Sequence, residues 1–164
     1  MKTAYIGIGS NLGDPHRNCL EAVDRIGMRP DCRILGLSGL YETEPVGVEG
    51  QGWYINCVAS LSTGLSARDL MKDLLLIEAG MGRVRRGLWE PRVIDLDLLL
   101  FGTDIIDDEE LKVPHPLMHK RRFVMAPMND LAPDLIHPVI GRTMAELFEE
   151  IPVDGQSVRP VKDR

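Results

Sequence analysis

The sequence is short of cysteine, of basic charge and of long apolar runs, and each shortage excludes a class of protein. Its three cysteines, Cys19, Cys32 and Cys57, form no C-x-x-C pair. A disulfide framework or a zinc site is therefore not expected, and a reducing compartment fits best. The net charge of -6 argues against a nucleic-acid partner, because such proteins usually present a basic surface.

Apolar runs are too short for a targeting signal or a membrane anchor. The N-terminal segment MKTAYIGIGSNLGD contains no stretch of the roughly 7–15 apolar residues that a secretory signal needs. No run approaches the roughly 20 apolar residues that span a bilayer. The sequence therefore predicts a cytoplasmic protein without a membrane partner.

The sequence does contain alternating strand-like and helix-like segments. Its length of 164 residues suits a single domain, residues 1–164. Asp14 with Pro15, and Ser66 with Asp69, are typical of helix starts. The order β-α-β-β-α-β predicts an α+β fold with a ferredoxin-like core, in which helices pack on an antiparallel sheet. The strands are expected at 4–10, 32–43, 53–63 and 91–101.

The buried faces of the helices follow from apolar spacing. The first helix should bury Cys19, Leu20, Val23 and Ile26, and the second should bury Leu70, Leu74, Ile77 and Met81.

The last third of the chain predicts additional helices outside this core. Residues 113–138 contain spaced prolines, which predict irregular chain around one short helix. A final helix is expected at 142–151, with Thr143 and Glu146 at its start. The polar tail, 152–164, is expected to be loose.

Two aspartates stand out in the strand PRVIDLDLLLF, residues 91–101. Alternation along a strand places Asp95 and Asp97 on one face with Val93, Leu99 and Phe101, and the remaining leucines and Ile94 on the other. Two carboxylates ~6 Å apart repel by roughly 3 kcal/mol at an effective dielectric of ~20. Solvent, neighbouring arginines or a divalent cation such as Mg²⁺ could each offset this repulsion.

The segment GRVRRGLWEPR, residues 82–92, adds a cationic cluster directly before the aspartates. Arginines beside a carboxylate pair are what phosphoryl transfer requires, because the guanidinium group binds phosphate oxygens in pairs. A salt-bridged surface loop is the alternative. Trp89 and the loop glycines suggest a cover over a site. The arginines are Arg83, Arg85, Arg86 and Arg92.

A second basic cluster follows at His115 and at HKRRF, residues 119–123. His115 stands between two prolines, which restrict its backbone. With the arginine loop, this cluster predicts a pocket for a polyphosphate. The glycine-rich segment GIGSNLGD lacks the G-K-[ST] ending of a Walker A motif, so a P-loop is excluded.

Several segments together resemble one known family, the 6-hydroxymethyl-7,8-dihydropterin pyrophosphokinases of folate biosynthesis. The resemblance runs from Tyr5 to about Pro138 in the family's order and spacing. It implies transfer of pyrophosphate from ATP to 6-hydroxymethyl-7,8-dihydropterin, which yields AMP and the pterin diphosphate. The matching segments are IGSNLGD, YETEPVG, YIN, GRVR, WEPRVIDLDLLLFG, VPHPLM and RRFV.

The resemblance also implies roles for individual residues. Asp95 and Asp97 would bind two magnesium ions, and Arg83 and Arg92 would join them in catalysis. The ATP site would comprise Glu78, Arg83, Arg85, Trp89, Arg92, His115 and Arg121. The pterin site would comprise Thr43, Val46, Tyr54, Asn56 and Phe123. Tyr54 is preferred to Trp53 because its spacing of two residues from Asn56 keeps both on one strand face.

Two other classes of function remain open from the residues alone. A metal-dependent phosphohydrolase would use the same aspartates and arginines but would need no pterin pocket. A non-catalytic ferredoxin-like binding module would show no magnesium-dependent nucleotide binding. The protein is expected to act as a monomer.

Overall fold

The ferredoxin-like core predicted from the order of elements is confirmed by a computed structural model that describes residues 1–45, 52–82 and 93–161. The main sheet has the strand order β5-β1-β4-β3-β8, and β2 also pairs with β4. Every pairing in it is antiparallel. Its strands are β1 (Lys2–Ser10), β2 (Cys32–Leu37), β3 (Tyr41–Thr43), β4 (Tyr54–Thr63), β5 (Asp95–Phe101) and β8 (Val158–Pro160).

The remaining elements are helices and a small ribbon. The helices are α1 (Pro15–Gly27), α2 (Ala67–Gly80), α3 (Arg122–Leu131) and α4 (Met144–Glu150), with a 3-10 turn at Met118–Lys120. Strands β6 (Ile106–Asp107) and β7 (Lys112–Val113) form a separate two-stranded ribbon. In the described ranges, no helix combines the length and the apolar character needed to cross a bilayer.

Each face of the sheet carries its own hydrophobic cluster. One cluster joins the sheet to α1 and α2, and it contains Ile26, Leu70 and Leu74. The other joins the opposite face to α3 and α4, through Met125 and Leu147 among others. The core is therefore two layers of helix with one sheet between them.

The caps predicted for three helices are confirmed. The side chain of Asp14 accepts a hydrogen bond from the N–H of Arg17, and that of Ser66 accepts one from Asp69. Thr143 and Glu146 form a reciprocal capping box at α4. One detail of the predicted stripe on α1 is wrong, because Leu20 is 39% exposed and Ala22 is buried in its place.

The two faces of β5 differ from the predicted alternation. Tyr5 pairs with Leu100 but the next residue of β1, Ile6, pairs with Leu98, so β5 contains a bulge at Leu99. An extra residue in a strand moves each side chain that follows it to the opposite face of the sheet. Phe101 therefore joins Leu98 in the cluster under α1 and α2, whereas Leu100 joins the cluster under α3 and α4.

The end of the chain departs most from expectation. The predicted short helix within 113–138 is present as α3, but it continues for ten residues with Pro127 inside it. The expectation of a loose tail is wrong for the described residues after α4, because β8 pairs with β3. Backbone pairing at the open edge of the sheet, together with packing of Val161 against the core, orders this segment.

Candidate active site

The two glycines of β1 form the floor of a cleft between β5 and β4. Gly9 pairs with Asp95 on one side and Asn56 on the other, and Gly7 pairs with Asp97 and Val58. Paired residues on neighbouring strands face the same side of a sheet, so the carboxylates and the amide share one face. The open cleft above them, together with the adjoining solvent at its mouth, occupies about 280 Å³. It is lined by Gly7, Ile8, Gly9, Asn56, Cys57, Val58, Asp95, Asp97, Phe123 and Val124.

Gly9 is required because the side chain of Asn56 lies across it. A Cβ atom on Gly9 would stand 2.4 Å from Oδ1 of Asn56 and 3.7 Å from the ring of Tyr54. The first distance is far shorter than any van der Waals contact. The glycine thus leaves room for a polar side chain that would otherwise be displaced from the floor of the cleft.

Asp95 and Asp97 are both half-buried and both line the cleft. Among the described residues, no group of three or more His, Cys, Asp or Glu side chains is arranged to bind a metal. A carboxylate pair still fits Mg²⁺, which retains several waters and is commonly held by one or two carboxylates together with substrate phosphates. The donor set therefore suits a metal that arrives with a phosphate ligand.

Glu78 of α2 is anchored to the strand that carries the aspartates. Its side chain is buried, with 3% exposure, and Oε2 accepts a hydrogen bond of 2.8 Å from the N–H of Leu96. Leu96 lies between the two aspartates in β5. Bonds of this kind to a charged acceptor are stronger than bonds between neutral groups, so the contact fixes the strand at the cleft.

His115 is held beside β5 by its backbone and by one of its two ring nitrogens. The backbone N–H of His115 donates to the carbonyl of Leu99 at 2.9 Å. The ring atom Nδ1 accepts from the backbone N–H of Leu117 at 3.2 Å. A neutral imidazole with Nδ1 as acceptor carries its proton on Nε2. Burial lowers the pKa of His115, the charge of Arg121 lowers it further, and the charge of Asp95 opposes both. A neutral His115 can therefore donate from Nε2 to an anion.

Arg121 and Phe123 stand at the start of α3, on the far side of the cleft from the sheet. The guanidinium carbon of Arg121 lies 5.5 Å from the centre of the Phe123 ring. This is within the range of a cation–π contact. The positive end of the helix dipole adds to the charge of Arg121, so this wall favours anions.

The strand wall of the cleft carries a polar pair. Nδ2 of Asn56 donates to Oγ1 of Thr43 at 2.5 Å, and both residues are buried. Tyr54 pairs with Thr43 across β3 and β4, and its ring lies near Gly9. Trp53 is 38% exposed and lies under the guanidinium group of Arg159, at 4.5 Å. Of the two rings, that of Tyr54 is the one that lies near the glycine floor.

The sequence of this chain is similar to those of known proteins. A model of the family 7,8-dihydro-6-hydroxymethylpterin-pyrophosphokinase (HPPK) matches residues 5–133. The chain belongs to the HPPK family. A 2-amino-4-hydroxy-6-hydroxymethyldihydropteridine pyrophosphokinase of Pseudomonas aeruginosa is 42% identical over 155 residues, which cover 94% of this chain and 95% of the relative. The protein of that name from Methylorubrum extorquens is 37% identical over 155 residues, or 94% and 97% of the two chains.

Solved structures agree on the fold. A crystal structure of an HPPK-DHPS protein in complex with substrates matches with a TM-score of 0.73 at 13% identity. The match covers 90% of this chain and 43% of that one. The chain thus spans less than half the length of this structural neighbour, and the similarity concerns the fold alone.

For this HPPK-family chain, the structure brings together seven of the predicted site residues. They are Thr43, Tyr54, Asn56, Asp95, Asp97, His115 and Phe123. Arg121 stands beside His115 and Phe123, and Glu78 reaches the site through the backbone of β5. Predictions for Val46, Arg83, Arg85, Trp89 and Arg92 fall outside the described residues.

The role of the glycines in β1 was not predicted. Their signal was available, because glycine at every second position of the strand leaves one face without side chains. Gln156, which hydrogen-bonds to the start of α3, was also not predicted. That contact joins residues far apart in the sequence, and no local sequence pattern predicts it.

Proposed function

We propose that this chain transfers the pyrophosphoryl group of ATP to 6-hydroxymethyl-7,8-dihydropterin, in folate biosynthesis. The observation that carries the proposal is one cleft with two kinds of wall, in a chain of the HPPK family. Two carboxylates line one part, with His115 close to Asp95, and the amide of Asn56, bonded to Thr43, lines the other with the ring of Phe123. The first part suits a polyphosphate and the second a flat, polar heterocycle.

Asp95 and Asp97 would hold Mg²⁺, and two ions are expected. When bound, the metal would neutralise phosphate charge and align the reacting oxygens. The two carboxylates share one face of β5, and the bond between Glu78 and Leu96 fixes the strand between them. The positions of these carboxylates are therefore set before any substrate arrives.

The phosphates of ATP would lie between the aspartates and the start of α3. His115 would donate a hydrogen bond from Nε2, and Arg121 would contribute a guanidinium group. Arg83 and Arg92, and also Arg85, are proposed to complete the phosphate contacts. Trp89 is proposed to cover the site, and Glu78 is proposed to lie near the nucleotide.

The pterin would lie over Gly9 between the two walls. Asn56 offers a carbonyl acceptor and amide donors to the edge of the heterocycle, as such recognition requires. Thr43 holds that amide in place. Phe123 would stack on the ring from the side of α3, with Tyr54 beside it and Val46 completing the edge.

The reaction follows from this placement. The hydroxymethyl oxygen of the pterin attacks the β-phosphorus of ATP and releases its proton to solvent. The bond from that phosphorus to the α–β bridging oxygen breaks, and AMP leaves. The chain's own groups bind and orient both substrates and stabilise negative charge. Positioning and electrostatic stabilisation supply most of the acceleration in reactions of this class.

The identity of the nucleotide product tests the proposal. ATP, Mg²⁺ and the hydroxymethyl-dihydropterin are incubated with the protein, and the nucleotides are separated by chromatography. AMP in equal amount to the pterin diphosphate is expected, whereas ADP would indicate transfer of a single phosphate and overturn the proposal.

A parallel incubation with ATP alone addresses the alternative of a phosphohydrolase. The family match does not support that alternative. Release of phosphate from ATP alone, as fast as ATP is consumed with the pterin present, would indicate a phosphohydrolase instead. Omission of Mg²⁺ tests the metal in the same assay, and loss of turnover is expected. The cytoplasmic location and the monomeric state remain predictions.

A further inference from the structure

The two walls of the proposed pterin site come from distant parts of the sequence. Thr43 and Asn56 belong to β3 and β4, whereas Phe123 belongs to the first turn of α3. A ring that stacks on Phe123 while bonding to Asn56 must fit the gap between these walls. Whatever fixes that gap therefore influences affinity for the heterocycle.

The segment after α4 is bound to the strand wall. Strand β8 pairs with β3, with Val158 opposite Thr43. In the next position of this antiparallel pairing, the N–H of Glu44 donates to the carbonyl of Ser157 at 3.0 Å. The N–H of Ser157 in turn donates to Oε1 of Glu44, also at 3.0 Å. The backbone of the tail is thus bonded both to the backbone and to the side chain of Glu44, at the end of β3.

The same segment is bound to the helix wall by the preceding residue. Oε1 of Gln156 accepts a hydrogen bond of 3.0 Å from the N–H of Arg122, the first residue of α3. The N-cap residue, Arg121, provides no side-chain cap of its own. Because the first N–H groups of a helix have no partner within it, Gln156 supplies an acceptor that the local sequence lacks.

A second contact strengthens this attachment. The guanidinium group of Arg122 donates to the carbonyl of Ile151 at 3.2 Å and lies 4.7 Å from the centre of the Phe148 ring. These contacts orient the start of α3 toward the end of α4. They do not reach β3. Apolar packing of α3 on β4 also joins the helix to the sheet, and the tail adds hydrogen bonds to both walls at the cleft itself.

We propose that Gln156 is a positioning residue for the pterin, and that it fixes the start of α3, which carries Phe123, relative to the strand wall. Two consecutive residues form the link: Gln156 holds the residue before Phe123, and Ser157 holds the residue after Thr43. The inference rests on the proposed function. It predicts a larger effect on the pterin than on ATP. Arg121 shares the helix start with Phe123, but the aspartates and His115 are attached through β5 instead.

The test compares three variants of the full chain in steady-state assays with each substrate varied. Gln156→Ala removes the acceptor, and Gln156→Glu keeps one in a position where a negative charge suits the helix N-terminus. Ser157→Ala is the matched control, since it alters the neighbouring residue and leaves both backbone bonds to Glu44.

Gln156→Ala should raise the KM for the pterin about three- to tenfold, the range expected when one neutral hydrogen bond no longer holds a binding group. The KM for ATP should stay within about twofold. Gln156→Glu should restore a pterin affinity close to that of the unsubstituted chain, measured by direct titration. Ser157→Ala should behave like the unsubstituted chain.

Two results would overturn the inference. One is a pterin KM for Gln156→Ala equal to that of Ser157→Ala, and the other is an equal rise for both substrates, which a general loss of structure would cause. Failure of the proposed function looks different, because the unsubstituted chain itself would then form no AMP.

Discussion

At the scale of single residues, the cleft depends on an absent side chain as much as on those present. The floor at Gly9 is open because no Cβ competes with the amide of Asn56. That amide is in turn held by Thr43. A buried polar pair of this kind specifies one geometry, because each partner would be left unsatisfied in any other arrangement.

Replacement of Gly9 by alanine is expected to weaken pterin binding. The new Cβ would stand 2.4 Å from Oδ1 of Asn56, so the amide must move. The KM for the pterin should rise by roughly tenfold, the effect of one lost hydrogen bond at the upper end of the usual range. Steady-state kinetics with each substrate varied will measure this.

Gly7→Ala is the control for that experiment. Its Cβ would meet only the side chain of Leu99, at 3.4 Å and beyond, which is ordinary contact. A smaller change in pterin KM is expected. Equal effects of the two substitutions would contradict the role assigned to Gly9.

Asp97→Asn should separate activity from stability. The substitution removes one charge of the carboxylate pair while keeping the shape of the side chain. Turnover should fall by at least about 100-fold, as when a group that stabilises transition-state charge is lost. The melting temperature should stay the same or rise, because repulsion between like charges on one strand face is relieved.

The measurements are AMP formation and thermal unfolding. Asp107→Asn makes the same chemical change on β6, where the side chain is exposed and paired with Lys112, and it should leave turnover unchanged. Near-normal activity of Asp97→Asn would refute the proposed metal role.

At the scale of elements, the helices differ in how their first turns are satisfied. Helices α1, α2 and α4 are capped by a side chain at their own N-cap residue, whereas α3 depends on Gln156 from the tail. A locally capped helix can form from nearby sequence alone. The start of α3, which carries Arg121 and Phe123, takes an acceptor for its first N–H group from a distant segment.

Thr143→Ala is expected to destabilise the protein through α4. Oγ1 of Thr143 accepts from the N–H of Glu146 at 3.2 Å, and the carboxylate of Glu146 accepts from the N–H of Thr143 at 3.1 Å. Loss of such a cap costs about 1 kcal/mol. Urea denaturation will measure the free energy of unfolding, and Thr143→Ser should retain most of it. A stability of Thr143→Ala equal to that of the serine variant would argue against the cap.

At the scale of the whole molecule, three histidines lie where burial lowers their pKa, with Arg121, Lys120 and His119 respectively as a second, smaller cause. These are His115, His119 and His137. Nδ1 of His137 accepts from the N–H groups of Val139 and Ile140, at 3.2 and 3.1 Å. A proton on that nitrogen would break both bonds. The fold is therefore built around neutral imidazole rings.

The pH dependence of stability follows from this. A histidine with a lowered pKa binds fewer protons in the folded than in the unfolded state below about pH 6.5. Stability should thus be full above about pH 6.5 and should fall as the pH drops toward the folded pKa. The pKa values of Asp108 and Glu146 are lowered from 3.8 and 4.5, so their contributions are lost only in more acidic solution.

His137→Asn should reduce the loss of stability between about pH 7.5 and about pH 5. The asparagine carbonyl can accept the two backbone hydrogen bonds and does not titrate in this range. Chemical denaturation at both pH values gives the difference for each protein. An unchanged difference in the variant would mean that His137 does not contribute to the pH dependence.

Much of the fold could be predicted because its signals are local. The caps at Asp14, Ser66 and Thr143 require only three or four neighbouring residues, and the order of elements then limits the topology. The exposed position of Leu20 and the bulge at Leu99 were missed. Both depend on how an element packs against its neighbours, which periodicity within the element does not determine.

The candidate site was predictable in part for the same reason. Asp95 and Asp97 lie in one strand, so their common face follows from alternation alone. Gln156 approaches Arg122 from 34 residues away in the sequence, and Gly9 adjoins Asn56 across two paired strands. Pairings of this kind exist only once strands and helices have been brought together.

The sequence by itself determined the ferredoxin-like order of elements, the carboxylate pair and the resemblance to the HPPK family. These depend on short-range backbone geometry and on residue types, which are properties of the chain before it folds. Only the tertiary structure decided which residues close the cleft: the glycine floor, the bond from Glu78 to β5, and the tail that joins β3 to α3. Such contacts link distant segments, and their geometry is fixed by packing of the whole core.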